Sequence, residues 1–517
     1  MLSNAAPAAF TRLRDFDLLA RMLLLVFASR PIIVASATWR PGWDELNFLH
    51  RAVCVDRTLF SADWAGVHEC MLLLNKSPVL MLLLLPFGQI GDNVDLIRMA
   101  PVMLAILNFC AVLGIALLTW RLRVPLAVVL VAAIAIAGNP LTHVVAGAVL
   151  VDTFLGIVAS IAVLLFAFEV NSNATSWRSA ALRGALWGLV GTAGVMSKVT
   201  FGYFIILLFV PLMAIVWYRE GTRLVLIRAL GCVVISIPGL IVFALYANQY
   251  FAHALKASFG LVADLYSDHL TLTAFIAAQL TGTGFGGVIL LVMAVAAAVT
   301  TVRRRALDRT SLYLLLVLLG YFWLTANAVN RDARFLLPFW LALPWCFALA
   351  MRESEGAAPQ GAPARDFGLA GLVSVFLALP SVKNYDLSDV ALSISALRTA
   401  PTDRPARVFI ATDTGSFNIE SILLAYQLDR RRFPAGLMID TLVYDRVNGR
   451  TLDQSLARLR SADVMLFRFP LDPATAALWS NEHHEAFLRV ARAEGRELAV
   501  IGPAPSVHVF VMPQPPR

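Results

Sequence analysis

"LLARMLLLVFASRPIIVASATWRPGWDELNFLHR" (residues 18–51) passes directly from a long apolar run into two adjacent carboxylates, Asp44 and Glu45. A helix needs about 20 apolar residues to cross a bilayer core, and the run at 18–39 meets that length. Ala35-Ser36-Ala37 has a faint likeness to a signal-peptidase site. The run is long for a signal peptide, however, and cleavage would leave the next loops on inconsistent sides. It therefore reads as an uncleaved first span, with the Asp-Glu pair just beyond it.

The rest of the chain has the same character. Its 517 residues are 59% hydrophobic and 15% charged, with a mean hydropathy of +0.73, where soluble domains run at about 45–50% and about 25%. This is an α-helical polytopic membrane protein. The net charge of +8 does not indicate a nucleic-acid partner, because the basic residues sit in short loops between apolar runs, where they set orientation. Cys110, Cys232 and Cys346 lie inside apolar runs and read as small hydrophobes.

Apolar runs at 18–39, 96–120, 124–141, 150–170, 182–197, 200–218, 224–247, 277–301, 311–329, 333–351 and 367–383 predict about eleven transmembrane helices. The arginine-rich segments "WRLRV" (120–124), "SWRSAALR" (176–183), "YREGTR" (218–223), "RRRALDR" (303–309) and "MRESEG" (351–356) then share one side, the cytoplasmic one by the positive-inside rule. The loop 40–95, the turns near 142–149, 198 and 330–334, the loop 248–276 and the tail after 384 fall outside. So do all four lysines, Lys76, Lys198, Lys256 and Lys383.

Two domains are expected: a membrane module over 1–383, with a structured first outer loop at 40–95, and an outer α/β domain over 384–517. The tail alternates strand-like runs, "RVFIAT" (407–412), "DVMLFRF" (463–469), "ELAVIG" (497–502) and "SVHVFVM" (506–512), with helical stretches at 416–429, 452–461 and 473–494. "ATDTGSFN" (411–418) is a strand-to-helix turn able to hold a phosphate, though an ordinary capped turn is the commoner reading. In the first loop Cys54 and Cys70 form a disulfide if they face an oxidising compartment; two buried thiols fit equally well.

Four features of the outer side carry candidate chemistry. Asp44 and Glu45 are carboxylates beside a dry interface, where one can take a proton from a hydroxyl; an acidic pair in a polar loop is more often simply solvated. Asp152 lies at the mouth of the fourth span, where an ionisable group is either functional or a helix cap, and His143 in the preceding turn joins it. Lys76, in "NKSPVLMLLLLPF", and Arg331 and Arg334, in "NRDARFLLPFW", suit a phosphate held at the bilayer surface. Lys198, in "GVMSKVTFGYF", has the same dual reading, since cations at helix ends also snorkel to water.

Taken in order, these motifs resemble the GT-C superfamily of membrane glycosyltransferases, in the branch of protein O-mannosyltransferases and lipid A aminoarabinose transferases. "WDELNF" resembles that branch's Asp-Glu opening of the first outer loop, and "NKSPVLMLLLLPF" its Lys-Pro-Pro-like segment, with Ser77 where Pro is usual. Asp152, "SKVTFGY" (197–203) and "ARFLLP" (333–338) match its later motifs, so that the likeness covers roughly residues 15–350. Asn47-Phe48 stand where Arg or an aromatic residue is frequent, and Asn75 where Glu or His is, which puts the sugar, the acceptor and metal binding in doubt.

The resemblance implies a sugar donor on a polyprenyl phosphate carrier, used at the outer face of a bacterial inner membrane. The acceptor would be a glycan, lipid A or a protein. It implies Asp44 as general base, Lys76, Arg334, Arg331 and Lys198 around the donor phosphate, and Glu45 and Asp152 orienting the acceptor. No cofactor is required; a divalent cation on Asp44 and Asp152 is compatible. The loop 248–276, with His253, Lys256 and His269, is either a lid closing over the donor or an interfacial helix.

A transporter or lipid flippase is the main alternative. Such proteins carry repeats and polar midplane helices; here there is no repeat, and the notable charges gather at one face. Arg30 is the exception, roughly midway along the first expected span. A membrane scaffold with a recruiting tail would leave the ordered outer-loop motifs unexplained.

Overall fold

The computed structural model describes residues 5–72, 78–85, 93–259, 270–304, 308–328, 331–353, 364–412, 416–442, 450–469, 481–503 and 506–513. Its contacts divide the chain into two compact units. The first contains residues 1–36, 77–80 and 102–381; the second contains 37–76, 81–101 and 382–517. The grouping differs from a simple cut at 383, because most of the first loop clusters with the C-terminal domain.

The first unit is helical. Among the described residues, eight helices of the chain are long and apolar enough to cross a membrane, and they coincide with eight of the eleven expected runs. The other three runs are also helices: Ala5–Ile33, Leu126–Ala137 and Trp177–Ser197. The run at 124–141 gives only 12 helical residues, about 18 Å at 1.5 Å per residue. It stops because Gly138 and Asn139 lead into Pro140, and Asn139 caps the next short turn by accepting a hydrogen bond from the Leu141 N–H. Arg30 sits in the last turn of Ala5–Ile33, not midway along a span. A cation in the last turn complements the negative end of the helix dipole.

Two packing contacts organise this unit. The Asp152–Val170 helix lies almost wholly buried against Leu337–Ala350. Trp177–Ser197 packs along Thr222–Phe259 through Gly184 and Gly188, four residues apart. A Cβ at either glycine would collide with the backbone of Arg228 or Cys232, the close small-residue approach that drives helix association where water supplies no hydrophobic force. At the C-terminal end of Asp152–Val170, Arg228 is enclosed between Glu169 at 2.9 Å and Glu220 at 3.0 Å, with Arg183 3.2 Å from Glu169. This pairing satisfies charges that would be prohibitively costly alone.

The second unit is built on a five-stranded sheet in the order β2-β1-β3-β5-β4, where β1 is Ala406–Ile410, β2 Leu437–Thr441, β3 Val464–Phe469, β4 Arg496–Ile501 and β5 Ser506–Val511. β1 pairs in parallel with β2 and β3, and β5 runs antiparallel to β3 and β4. The four expected strands are present, while β2 and the helix Ser388–Leu397 were not legible in the sequence. Phe409, Met465, Phe467 and Phe510 on the sheet and Leu459 and Phe487 on helices form the core.

The loop segment joins this unit through its Trp43–Phe60 helix, which packs beside Ile419–Leu428. Trp39 pairs with Tyr385 in an isolated bridge, and Arg40 lies 3.0 Å from Asp386. Cys54 and Cys70 are joined by a disulfide, with Cα atoms 5.9 Å apart, tying Trp43–Phe60 to Trp64–Leu72. The choice left open by the sequence is resolved toward the bridge.

Candidate active site

In the first unit a polar cluster forms at the N-terminal end of Asp152–Val170. Asp152 is the first residue of that helix and is 3% exposed. Lys198 ends the Trp177–Ser197 helix in an extended conformation, which projects it across so that Nζ lies 3.0 Å from Asp152 Oδ1. The same ammonium stands over the Phe335 ring, 3.5 Å from its centroid. Burial pushes the Lys198 pKa down, Asp152 pulls it up, and nearby Arg334 adds to the lowering.

The turn after Arg309–Ala326 supplies the rest. Asp332 caps the short helix Ala333–Leu336 by accepting from the Arg334 N–H at 3.0 Å, and its other oxygen lies 2.7 Å from Arg334 Nε. Arg334 also lies over the Phe335 ring, with Cζ 5.3 Å from its centroid. Tyr321 donates its hydroxyl hydrogen bond to the Phe335 carbonyl at 3.2 Å. Arg331 is spent more on backbone: its Nε donates to Ala326 O at 3.0 Å and its Nη1 to Leu270 O.

Two cations (Lys198 and Arg334) thus meet two carboxylates (Asp152 and Asp332) around one aromatic ring. A half-buried group of Lys and Arg donors beside an aromatic face is suited to an anion such as phosphate. Sequence reasoning found Asp152, Lys198 and Arg334 but missed Asp332, Tyr321 and Phe335. The Asp332-x-Arg334 capping pattern was the available signal for the first.

His143 does not join this group by any side-chain bond described here. Its ring nitrogens lie 3.0 Å from Pro31 O and 2.7 Å from Ala137 O, so it ties helix ends together. Among the described residues no three His, Cys, Asp or Glu side chains gather as a metal set. Lys76 and His269 lie outside the described residues, and so do the side chains of His253 and Lys256, which fall on Thr222–Phe259. Residues 413–415 of the "ATDTGSFN" turn are outside as well. Asn418 of that turn caps Ile419–Leu428 by accepting from the Glu420 and Ser421 N–H groups.

In the second unit, Asp44 occupies the first turn of Trp43–Phe60 and is half-buried. Glu45 beside it is 2% exposed, and its Oε2 accepts from the Gly42 N–H at 2.9 Å and from Trp39 Nε1 at 2.8 Å. Its carboxylate therefore satisfies the helix start. Of the adjacent pair, Glu45 fixes the turn and Asp44 is the more accessible acid.

No family model matches the chain, and no curated protein does. Solved structures that share the fold over nearly the whole chain do exist. They are structures of ArnT from Cupriavidus metallidurans. The complex with undecaprenyl phosphate superposes with a TM-score of 0.54 at 12% identity, covering 96% of this chain and 98% of that one. The apo state gives 0.51 at 12% identity, covering 99% and 100%.

Proposed function

We propose that this protein transfers a sugar from a polyprenyl phosphate carrier to an acceptor hydroxyl at the periplasmic face of a bacterial inner membrane. The observation that carries the reading is the Lys198–Arg334 cluster of cationic donors, in a fold one of whose solved members binds undecaprenyl phosphate. Lys198 has ammonium hydrogens beyond the one directed at Asp152, and the Arg334 guanidinium carries several N–H groups in a planar fork. Both are placed to hold a lipid phosphate whose charge grows as the glycosidic bond breaks.

Asp44 is the general base. The acceptor O–H gives its proton to the Asp44 carboxylate, the acceptor oxygen bonds to the anomeric carbon with inversion, and the carbon–oxygen bond to phosphate breaks. The carrier phosphate leaves with the electron pair. General-base assistance of this kind contributes roughly 10²–10⁴ in rate. Glu45 holds the helix turn on which Asp44 stands. Lys76 and Arg331 are further phosphate ligands in this reading, and Asp152 orients Lys198.

The direct test is purification with native lipids followed by mass spectrometry of the bound species. A polyprenyl phosphate or its sugar ester is the expected finding. A bound solute with no such lipid overturns the proposal.

A further inference from the structure

The Trp43–Phe60 helix carries three buried polar residues on one face, Asn47, His50 and Arg51, at spacing i, i+3 and i+4. All converge on Glu420, itself 6% exposed, in the first turn of Ile419–Leu428. Asn47 Nδ2 donates to Glu420 Oε1 at 2.8 Å, and Arg51 Nε donates to Asn47 Oδ1 at 2.8 Å. His50 Nδ1 stands 2.8 Å from Glu420 Oε2. At the far end of the same helix pair, Arg57 Nη2 donates to Leu428 O at 3.1 Å, so the two helices run side by side in one direction.

None of these four residues has a part in the transfer step as proposed above, and burying them is not what stability alone would select. Apolar residues of similar volume at such a site are often as stable or more so. A network of this kind does discriminate sharply between registers, because a displaced helix leaves buried polar groups unpaired. Sliding the Trp43–Phe60 helix by one residue would move its first turn about 1.5 Å and rotate it about 100°. Asp44 lies one turn before Asn47 and would swing by that amount.

We infer that Glu420 of the C-terminal domain is a positioning residue for the transfer reaction, setting through Asn47, His50 and Arg51 the register of the helix that presents Asp44. The inference rests on the reading of Asp44 as general base. It gives the C-terminal domain a part in the reaction: it is the mount of the catalytic helix. The clamp of Trp39 and Arg40 on Tyr385 and Asp386 fixes the same helix at its entrance, so the first turn is held from both sides.

The test compares full-length variants in nanodiscs, supplied with the polyprenyl-lipid extract of the producing membranes, with released polyprenyl phosphate measured by mass spectrometry. An apolar replacement set, Asn47→Leu, His50→Leu, Arg51→Met and Glu420→Leu, should keep the thermal stability of the wild type. It should lose about tenfold to a hundredfold in the rate at saturating extract, the penalty of a small misplacement, with the half-saturating extract concentration unchanged. Glu420→Gln, which retains an oxygen for Asn47, should keep more of that rate than Glu420→Ala. If the set does not fold, the comparison of Glu420→Gln with Glu420→Ala decides alone. Wild-type rates in the stable set, or equal rates in the two single variants, overturn the inference. Asp44→Asn serves as the control: normal turnover in that variant sinks the underlying base assignment instead, whatever the Glu420 variants do.

Discussion

Replacing Lys198 separates what its ion pair does for the fold from what it does for a phosphate. In Lys198→Met, Asp152 keeps a side chain only 5% exposed and loses its partner at 3.0 Å. Stripping one member from a buried pair costs about 3–5 kcal/mol. Because 23% of the Lys198 side chain is open to solvent, the low end, ~3 kcal/mol, is the expected loss. A second change, Asp152→Asn, removes the stranded charge and should restore most of that stability. Phosphate affinity should behave otherwise. A charge-assisted hydrogen bond contributes about 1.5–3 kcal/mol, so Lys198→Met should weaken undecaprenyl phosphate binding roughly 10- to 150-fold, and the double variant should stay weak. Asp152→Asn alone removes a negative charge from the cluster and should bind the lipid as tightly as wild type or tighter. Stability is read by thermal unfolding without lipid, and affinity by titrating undecaprenyl phosphate into protein in nanodiscs. Wild-type affinity in the double variant would refute the phosphate role of Lys198.

Two further outcomes are expected. Reducing the Cys54–Cys70 bridge, which closes a loop with a sequence separation of 16, should lower stability by about 3 kcal/mol, read as a fall in unfolding temperature with reductant that is absent in the Cys54→Ser, Cys70→Ser variant. Acid should loosen the contact between Trp43–Phe60 and Ile419–Leu428. Burial lowers the His50 pKa against the pull of Glu420. Glu420 is itself held below its usual value because His50, Arg51 and Asn47 together outweigh its burial. Both depressed groups contribute stability above their unfolded pKa values, about 6.5 and about 4.3. That contribution falls as pH drops below about 6.5 for His50 and below about 4.3 for Glu420. Hydrogen-exchange protection of residues 43–60, taken relative to the intrinsic rate at each pH, should therefore fall from pH 7 to pH 5, and much less so in His50→Leu.

The spans were legible because an apolar run of sufficient length has few other fates. The outer motifs were legible because charged residues stand out against such runs, and Lys198, Asp152 and Arg334 do come together. What escaped was set by distant contacts. Asn47 meets Glu420 across 373 positions, so nothing local could assign the first loop to the C-terminal unit. Glu45 read as half of an acid pair, but its geometry depends on Trp39 and Gly42. His143 read as a site residue from its place beside Asp152, whereas its ring is taken by two backbone carbonyls. β2 was hidden by Asp440 and Thr441 within its five residues, which cut short the apolar run.

In the proposed reaction Asp44 drives sugar transfer from a polyprenyl phosphate carrier. Release of polyprenyl phosphate from host lipid extract, compared between wild-type protein and Asp44→Asn in nanodiscs, tests it most directly. Steady release by the wild type and a fall of about 10²-fold or more in the variant, with equal thermal stability and equal undecaprenyl phosphate binding, is the predicted result. Equal release by both proteins would contradict it.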